Sequence, residues 1–373
     1  MKSIYFFIPE YPNLYDDGVV YLGEGLNELG YNLFSNRNYW KTSPQSDKFL
    51  FNFNPDISFK ECDIVVVACS WAKDVDMISY QYISQNLPKD LFDSNRKYLT
   101  VYIDKFDNYR TLSFDKIFRN FDIILKNKYN KKTFLPSNCT PWVLGFQNRI
   151  LQERTGILIE NKQYSIAVNF NYSHPYQHQL RKLAEQYIIN RFPKDMIDRT
   201  ISPKEQPNDE FGLLMWKSTF GLHNRKYYNH IEKNLMVAAF CGEMIPGLPF
   251  NPSKYMVGGN KAKIKKHFYT MLSTLLGKKQ RIIQWDSWRF WETLALGSVP
   301  IHIDLEKYGV SLPIMPENWK HYIGIDLNNI DYAIERITED KEGIYKIAKQ
   351  GHQWGMENYS PKASAQRFIN LTK

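Results

Sequence analysis

The chain has 373 residues, 43% of them apolar and 15% aromatic, which is too long for one ordinary core and too apolar for a disordered chain. No apolar run approaches the roughly 20 residues of a membrane helix, and Ile4-Tyr-Phe-Phe-Ile8 is too short for a signal-peptide core, so a soluble, cytoplasmic, two-domain chain is expected. The net charge of +9 is concentrated: residues 1–150 hold 18 Lys/Arg against 17 Asp/Glu, whereas Phe250 to Arg281 holds 8 Lys/Arg and no acid.

In chain order, residues 2–8 alternate into a strand, Gly18 to Leu29 carries Val19, Leu22, Leu26 and Leu29 on one helical face, and Tyr31-Asn-Leu-Phe-Ser35 gives a second strand. Strand, helix, strand is the unit of a parallel sheet. Further strands are predicted at Asp63–Ser70, Tyr98–Ile103, Phe121–Leu125 and Pro141–Gly145. The polar stretch Gln147 to Gln163 is the expected crossing between domains. Open α/β sheets bind ligands at their carboxyl ends, so Asp16, Asp17, Ser70, Trp71 and Asp104 are expected to face a common crevice. For Asp17 a plain helix cap is the competing reading, and for Asp104 an exposed loop acid.

A second plan of the same kind begins at Tyr164–Phe170, followed by a loop with Asn171 and a helix from Gln179 to Phe192 carrying Arg181. Residues 193–225 give few signals. A helix is predicted over Tyr227–Lys233 and a strand over Leu235–Phe240. In the basic segment Ile264, Phe268, Met271, Leu272, Leu275 and Leu276 share one face of an amphipathic helix, opposite Lys261 and Lys265. Three fates are open for it: an insertion packed by its apolar face, a helix lying on an anionic membrane, or a nucleic-acid contact. The chain closes with a strand at Tyr322–Asp326 and helices at about 332–337, 344–354 and 362–371.

Gln284-Trp-Asp-Ser-Trp-Arg-Phe-Trp-Glu292-Thr-Leu-Ala-Leu-Gly297-Ser-Val-Pro300-Ile-His-Ile-Asp304 reads as a capped helix, a glycine stop and a buried strand. Asp286 or Ser287 is the expected cap, and the helix mouth, with Ser287, Trp288 and Arg289, suits an anion. Glu292 lies on the face of Trp288 and Arg289, where its carboxylate can accept two sugar hydroxyls. The plain alternative makes Arg289 and Glu292 a helix-surface ion pair and Trp288 and Trp291 core residues.

The order of an acid or amide, seven residues, Glu292, and then Gly297 and Pro300 resembles the donor-binding signature of GT-B glycosyltransferases. The Ser287, Arg289, Glu292 form is more similar to the exostosin-like branch and related bacterial enzymes. Tyr228-x-x-Ile231-x-x-Asn234 and the Asn169 to Arg181 unit support the likeness. It implies an α/β fold of two Rossmann-like domains facing across a cleft, with C-terminal helices packing back toward the first domain. The expected division is an acceptor-side domain over 1–150, a nucleotide-sugar domain over 164–350 with a basic insertion near 250–281, and a helical tail over 351–373.

Carried across, Glu292 binds ribose, Arg289 and Arg181 bind the diphosphate, and Asn169 and Asn171 line the loop beside it, with Asp286, Ser287 and Trp288 completing the donor wall. Gln284 stands where many retaining members carry an acid, so the stereochemical outcome stays open. An inverting enzyme needs a base from the first domain, for which Asp17 and Asp104 are the candidates. No cofactor and no essential metal are expected. Asp74-Val-Asp76 does not end an apolar strand directly, and His174 and His178 lack a third ligand.

The implied activity is transfer of a hexose or pentose from a nucleoside diphosphate sugar to a glycan or lipid-linked glycan, in polysaccharide biosynthesis. Residues 250–281 offer a peripheral contact with an anionic membrane. The alternatives are a nucleic-acid-binding or nucleic-acid-modifying protein of the same shape, and a nucleotide-sugar epimerase.

Overall fold

The computed structural model describes residues 2–8, 17–43, 45–68, 87–104, 116–169, 178–200, 206–209, 212–213, 216, 221, 224–248, 259–277 and 280–373. The first half holds β1 (Ser3–Phe7), α1 (Asp17–Glu28), β2 (Asn32–Ser35), β3 (Tyr39–Lys41), β4 (Phe49–Phe51), β5 (Ile64–Ala68), β6 (Leu99–Asp104), β7 (Ile123–Lys126) and β8 (Cys139–Pro141). Six of these strands form one parallel sheet in the order β2-β1-β5-β6-β7-β8. Ile4, Phe6, Val66, Val101 and Ile103 belong to one core, and Tyr5, Val65, Val67 and Tyr102 to another. Both faces are thus covered, which is why these strands read as unbroken apolar runs.

The second half repeats the plan. Its elements are α2 (Asn148–Glu153), β9 (Gln163–Ala167), α3 (His178–Tyr187), β10 (Ile197–Asp198), α4 (Arg225–Lys233), β11 (Asn234–Ala238), β12 (Glu243–Ile245), α5 (Gly259–Leu275), β13 (Arg281–Ile283), α6 (Trp288–Ala295), β14 (Val299–Ile303), β15 (Ile323–Ile325), α7 (Ile330–Glu339), α8 (Lys341–Tyr359) and α9 (Pro361–Leu371). A parallel sheet runs β10-β9-β11-β14-β15, with β12 and β13 paired separately. Counted along each half, both sheets have their second strand outside the first and the third on its other side. The strand order therefore reverses beside β1 and beside β9.

The tail crosses to the first domain. Ser360 caps α9 through its hydroxyl, with Pro361 at the first helical position. α9 then lies on α1 so closely that a Cβ on Gly25 would stand 1.9 Å from the Pro361 carbonyl oxygen. Only glycine allows that approach. Tyr359, Ala365 and Phe368 join the same buried core as Leu22, Leu26 and the second sheet.

Several boundaries differ from the sequence reading. The strand expected at Pro141–Gly145 ends at Pro141, and buried residues Trp142 to Gln147 leave the sheet for the space between the domains. The helix expected to reach Phe192 stops at Tyr187 and continues as a short 3-10 turn before Pro193, a residue that disfavours helix ahead of it. β10 lies inside a stretch without sequence signals, because two residues carry no period.

One contact between α1 and α2 makes stability depend on pH. Glu24, half-buried, accepts the Asn148 N–H at 2.9 Å. Burial pushes its carboxyl up to about 7 against that hydrogen bond, and Glu28 adds to the rise. A raised carboxyl contributes stability that is complete below about pH 4.5 and lost as pH rises through about 7. Glu24→Gln is expected to gain about 1–2 kcal/mol over the parent at pH 8 and nothing at pH 4.5. Urea titrations at the two pH values measure this, and equal gains at both would refute the assignment.

Candidate active site

At the order reversal beside β9, the carboxyl ends of β9 and β11 open side by side. Ala167 pairs with Val237, so Asn169 and Phe240 stand just beyond the paired region on neighbouring strands. Each receives a guanidinium. Arg289 Nη2 donates to the Asn169 carbonyl at 3.2 Å, and Arg181 Nε donates to the Phe240 carbonyl at 3.2 Å. Arg181, in the first turn of α3, is 5% exposed. Burial lowers its proton affinity first, and the nearby Arg289 charge lowers it further. Two cations are thus crowded at the place where doubly wound sheets bind ligands.

The mouth of α6 completes this edge. Ser287 occupies the N-cap position, yet its hydroxyl makes no capping bond and is buried without a hydrogen-bond partner. The side-chain cap expected from the sequence is therefore absent. The Asn169 amide oxygen and Arg289 Nε are likewise buried and unpartnered. Unsatisfied buried polar atoms are uncommon and each calls for a reason; three of them around one helix mouth suit a polar anionic ligand. Gln284, which opens the motif, has a φ of 56° although it is not glycine, and its carbonyl accepts the Cys241 thiol at 3.1 Å. Backbone held in that region costs on the order of 1 kcal/mol and concentrates at functional sites.

Asp286, grouped with the donor wall from sequence, is wholly buried between the domains. Its Oδ2 accepts the Leu144 N–H at 2.9 Å and its Oδ1 the Trp291 indole N–H at 2.5 Å. It acts as a strut that joins the two halves. Trp288 is half-buried and, with Glu292, lines a small cavity whose other wall is Leu144 to Gln147 and Ile150. Gly145 in that wall has a φ of 69°, and a Cβ there would stand 2.8 Å from the Tyr21 ring. Glu292 is 3% exposed and accepts the Tyr227 hydroxyl at 2.8 Å, so the surface ion-pair reading of Glu292 does not hold. Burial, then the Glu292 charge, pushes the Tyr227 hydroxyl well above its ordinary value and keeps it protonated.

In the first domain, Asp104 ends β6 as expected but is 1% exposed, with Lys126 Nζ 2.7 Å from its carboxylate. It is not the exposed loop acid of the alternative reading. Asp17 opens α1 at the carboxyl edge beside β1, and its side chain lies outside the described residues, as do Asp16, Ser70, Trp71, Asp74, Asp76, Asn171 and His174. Among the described residues no three His, Cys, Asp or Glu side chains gather in a metal-binding group. Tyr227 and the strained Gln284 backbone went unnoticed in the sequence. A tyrosine one residue from the quoted Tyr228 was a visible sign of the first; nothing signals the second.

No protein-family model and no curated protein sequence matches the chain. Among solved structures, it is similar to an alpha-glucosyltransferase in complex with UDP and a 13-mer DNA containing a central A:G mismatch, at a TM-score of 0.52 and 11% identity, covering 100% of both chains. An alpha-glucosyltransferase in complex with UDP gives a TM-score of 0.51 at 10% identity, again over 100% of both chains. HepE of Anabaena, in complex with UDP and glucose, gives 0.47 at 10% identity over 99% of each chain. The full-length likeness to the first two shows the fold: two Rossmann-like domains facing across a cleft, the GT-B arrangement.

Proposed function

We propose that this chain is a glycosyltransferase that moves one sugar from a nucleoside diphosphate sugar to a hydroxyl of a glycan or lipid-linked glycan. The observation that carries the reading is the pair of guanidiniums, Arg181 and Arg289, fixed to the ends of β11 and β9 beside the uncapped mouth of α6. Negative charge builds on the diphosphate as the sugar departs, and cations and helix amides placed in advance stabilise it. Glu292, held by Tyr227 one turn into α6, takes the ribose, and Trp288 borders it. Asp17, at the carboxyl edge of the first sheet, is the proposed base for the acceptor hydroxyl; Asp104 is held by Lys126. The motif's resemblance to the exostosin-like form supports a role in polysaccharide assembly.

The test is a thermal-shift and calorimetric screen of nucleoside diphosphates and their sugars. A ligand at about 100 times its Kd is expected to stabilise the protein by about 2.7 kcal/mol. Glu292→Gln, which keeps an acceptor for Tyr227, is expected to fold and to lose about tenfold in nucleotide affinity. If no nucleotide stabilises the parent, the reading is wrong. A second reading, with DNA as acceptor, is favoured by the similar alpha-glucosyltransferase having been solved with UDP and DNA. Sugar transfer to duplex DNA, and none to glycans, would establish it instead.

A further inference from the structure

Helix α5 is mounted inside out. Its side toward the protein is Lys266, Tyr269, Thr270 and Ser273, half-buried or buried, with the Ser273 hydroxyl accepting the Gly247 N–H at 3.0 Å. At about 100° per residue, Ile264, Phe268, Met271 and Leu275 form a stripe on the opposite side from Ser273. These four are 69%, 52%, 50% and 74% exposed, and Leu276 at the helix end is 56% exposed. Of the three fates open from the sequence, packing by the apolar face is not the one observed: among the six apolar positions of that face only Leu272 is half-buried. Lys265 is exposed and flanks the stripe rather than opposing it.

Contiguous apolar side chains on a surface mark an interaction site, and the surrounding sequence says of what kind. From Phe250 to Arg281 there are 8 Lys/Arg and no acid. Among the side chains of this segment that the structure describes, Lys265 is exposed, Lys266 half-buried and Arg281 buried, the last donating to the Lys132 carbonyl at 2.9 Å and to the Thr133 hydroxyl at 2.7 Å. That contact brings a first-domain loop to the chain leaving α5, and Lys132 Nζ donates to the Gln280 carbonyl at 3.1 Å. The loop presents Lys131, exposed, and Phe134, 66% exposed. An aliphatic and aromatic ridge flanked by Lys265, in a segment whose sequence has no acid and whose end is met by a loop presenting Lys131 and Phe134, matches an interface of acyl chains under anionic headgroups. Nucleic acid would engage the lysines and leave the ridge in water.

We infer that α5 lies on an anionic bilayer, with Ile264, Phe268, Met271 and Leu275 in the acyl boundary and Lys265 at the headgroups. The stripe shares no residue with the proposed donor site, so membrane binding and nucleotide binding are read separately. The full chain is sedimented with phosphatidylcholine vesicles containing about one part in three of phosphatidylglycerol. Binding is expected that weakens as salt is raised and on pure phosphatidylcholine. The variant Ile264→Glu, Leu275→Glu is expected to bind at least about 100-fold more weakly, with unchanged melting and an unchanged response to nucleoside diphosphate. No vesicle binding by the parent, or equal binding by the variant, overturns the inference. So does a stripe whose substitution only dissolves a dimer or releases duplex DNA.

Discussion

Arg289→Ala is expected to weaken nucleoside diphosphate binding by about 10- to 100-fold while leaving the empty protein as stable as the parent, an asymmetry that follows from the two-cation geometry. With nothing bound, Arg289 donates to the Asn169 carbonyl, stands within hydrogen-bonding reach of the Tyr227 hydroxyl and keeps a buried, unpartnered Nε. Its charge also acts against that of Arg181, which is 5% exposed and already lowered in proton affinity by burial. Removing one of two like charges relieves repulsion and offsets the lost hydrogen bond. With a diphosphate bound, the same charge becomes half of a bidentate clamp. Arg289→Lys keeps the charge without the planar fork and is expected to fall between parent and alanine variant. Calorimetric titration beside urea denaturation reads both halves; an Arg289→Ala protein that loses stability yet binds nucleotide as the parent does would show that Arg289 holds the Asn169 loop and not a ligand.

The fold was largely legible because both sheets are buried on both faces, so each long strand, such as Ile64–Ala68 or Val299–Ile303, leaves an uninterrupted apolar run. Short elements escaped: β10 has two residues, and the β12–β13 pair is held from outside by Asn130, whose side chain reaches the Ile282 carbonyl from 152 positions away. In the site, the motif and its resemblance singled out Arg181, Arg289 and Glu292, and the structure brings the two arginines to one sheet edge beside the helix mouth. The partners of those residues were not local. Asp286 looked like a cap because Asp before a helix usually is one; its strut role depends on Leu144, brought from another domain. For α5 the helical period located the apolar face correctly, but amphipathicity alone does not say which face meets the protein. The sequence therefore left three fates open, and the Ser273 contact to Gly247 shows that the polar face is the one that meets the protein.

The largest loss of stability is expected from Glu232→Ala, at about 3–5 kcal/mol. Glu232, in the last turn of α4, is 2% exposed and holds the crossing between the domains with both carboxylate oxygens. Oε1 accepts the N–H groups of Gly156 at 2.8 Å and Ile157 at 3.0 Å; Oε2 accepts the Thr155 N–H at 2.7 Å and its hydroxyl at 2.6 Å. Alanine strands these donors at a cost of about 1–3 kcal/mol for each one that water does not reach. It also strips the counter-charge from Lys162, whose Nζ is buried between the carbonyls of Glu232 and Leu296. Burial pushes the Lys162 amine down to about 8, with Glu232 opposing the shift. A base lowered in the folded state contributes stability at high pH that is lost as pH falls through that value. The deficit of Glu232→Ala is therefore expected to be larger at pH 7 than at pH 9, where Lys162 is neutral in both folded proteins. Glu232→Gln, which keeps one acceptor oxygen, is expected to recover part of it. Tryptophan fluorescence in urea at the two pH values measures the deficits; one below about 1 kcal/mol at both would mean that the crossing is held by its packing and not by this carboxylate.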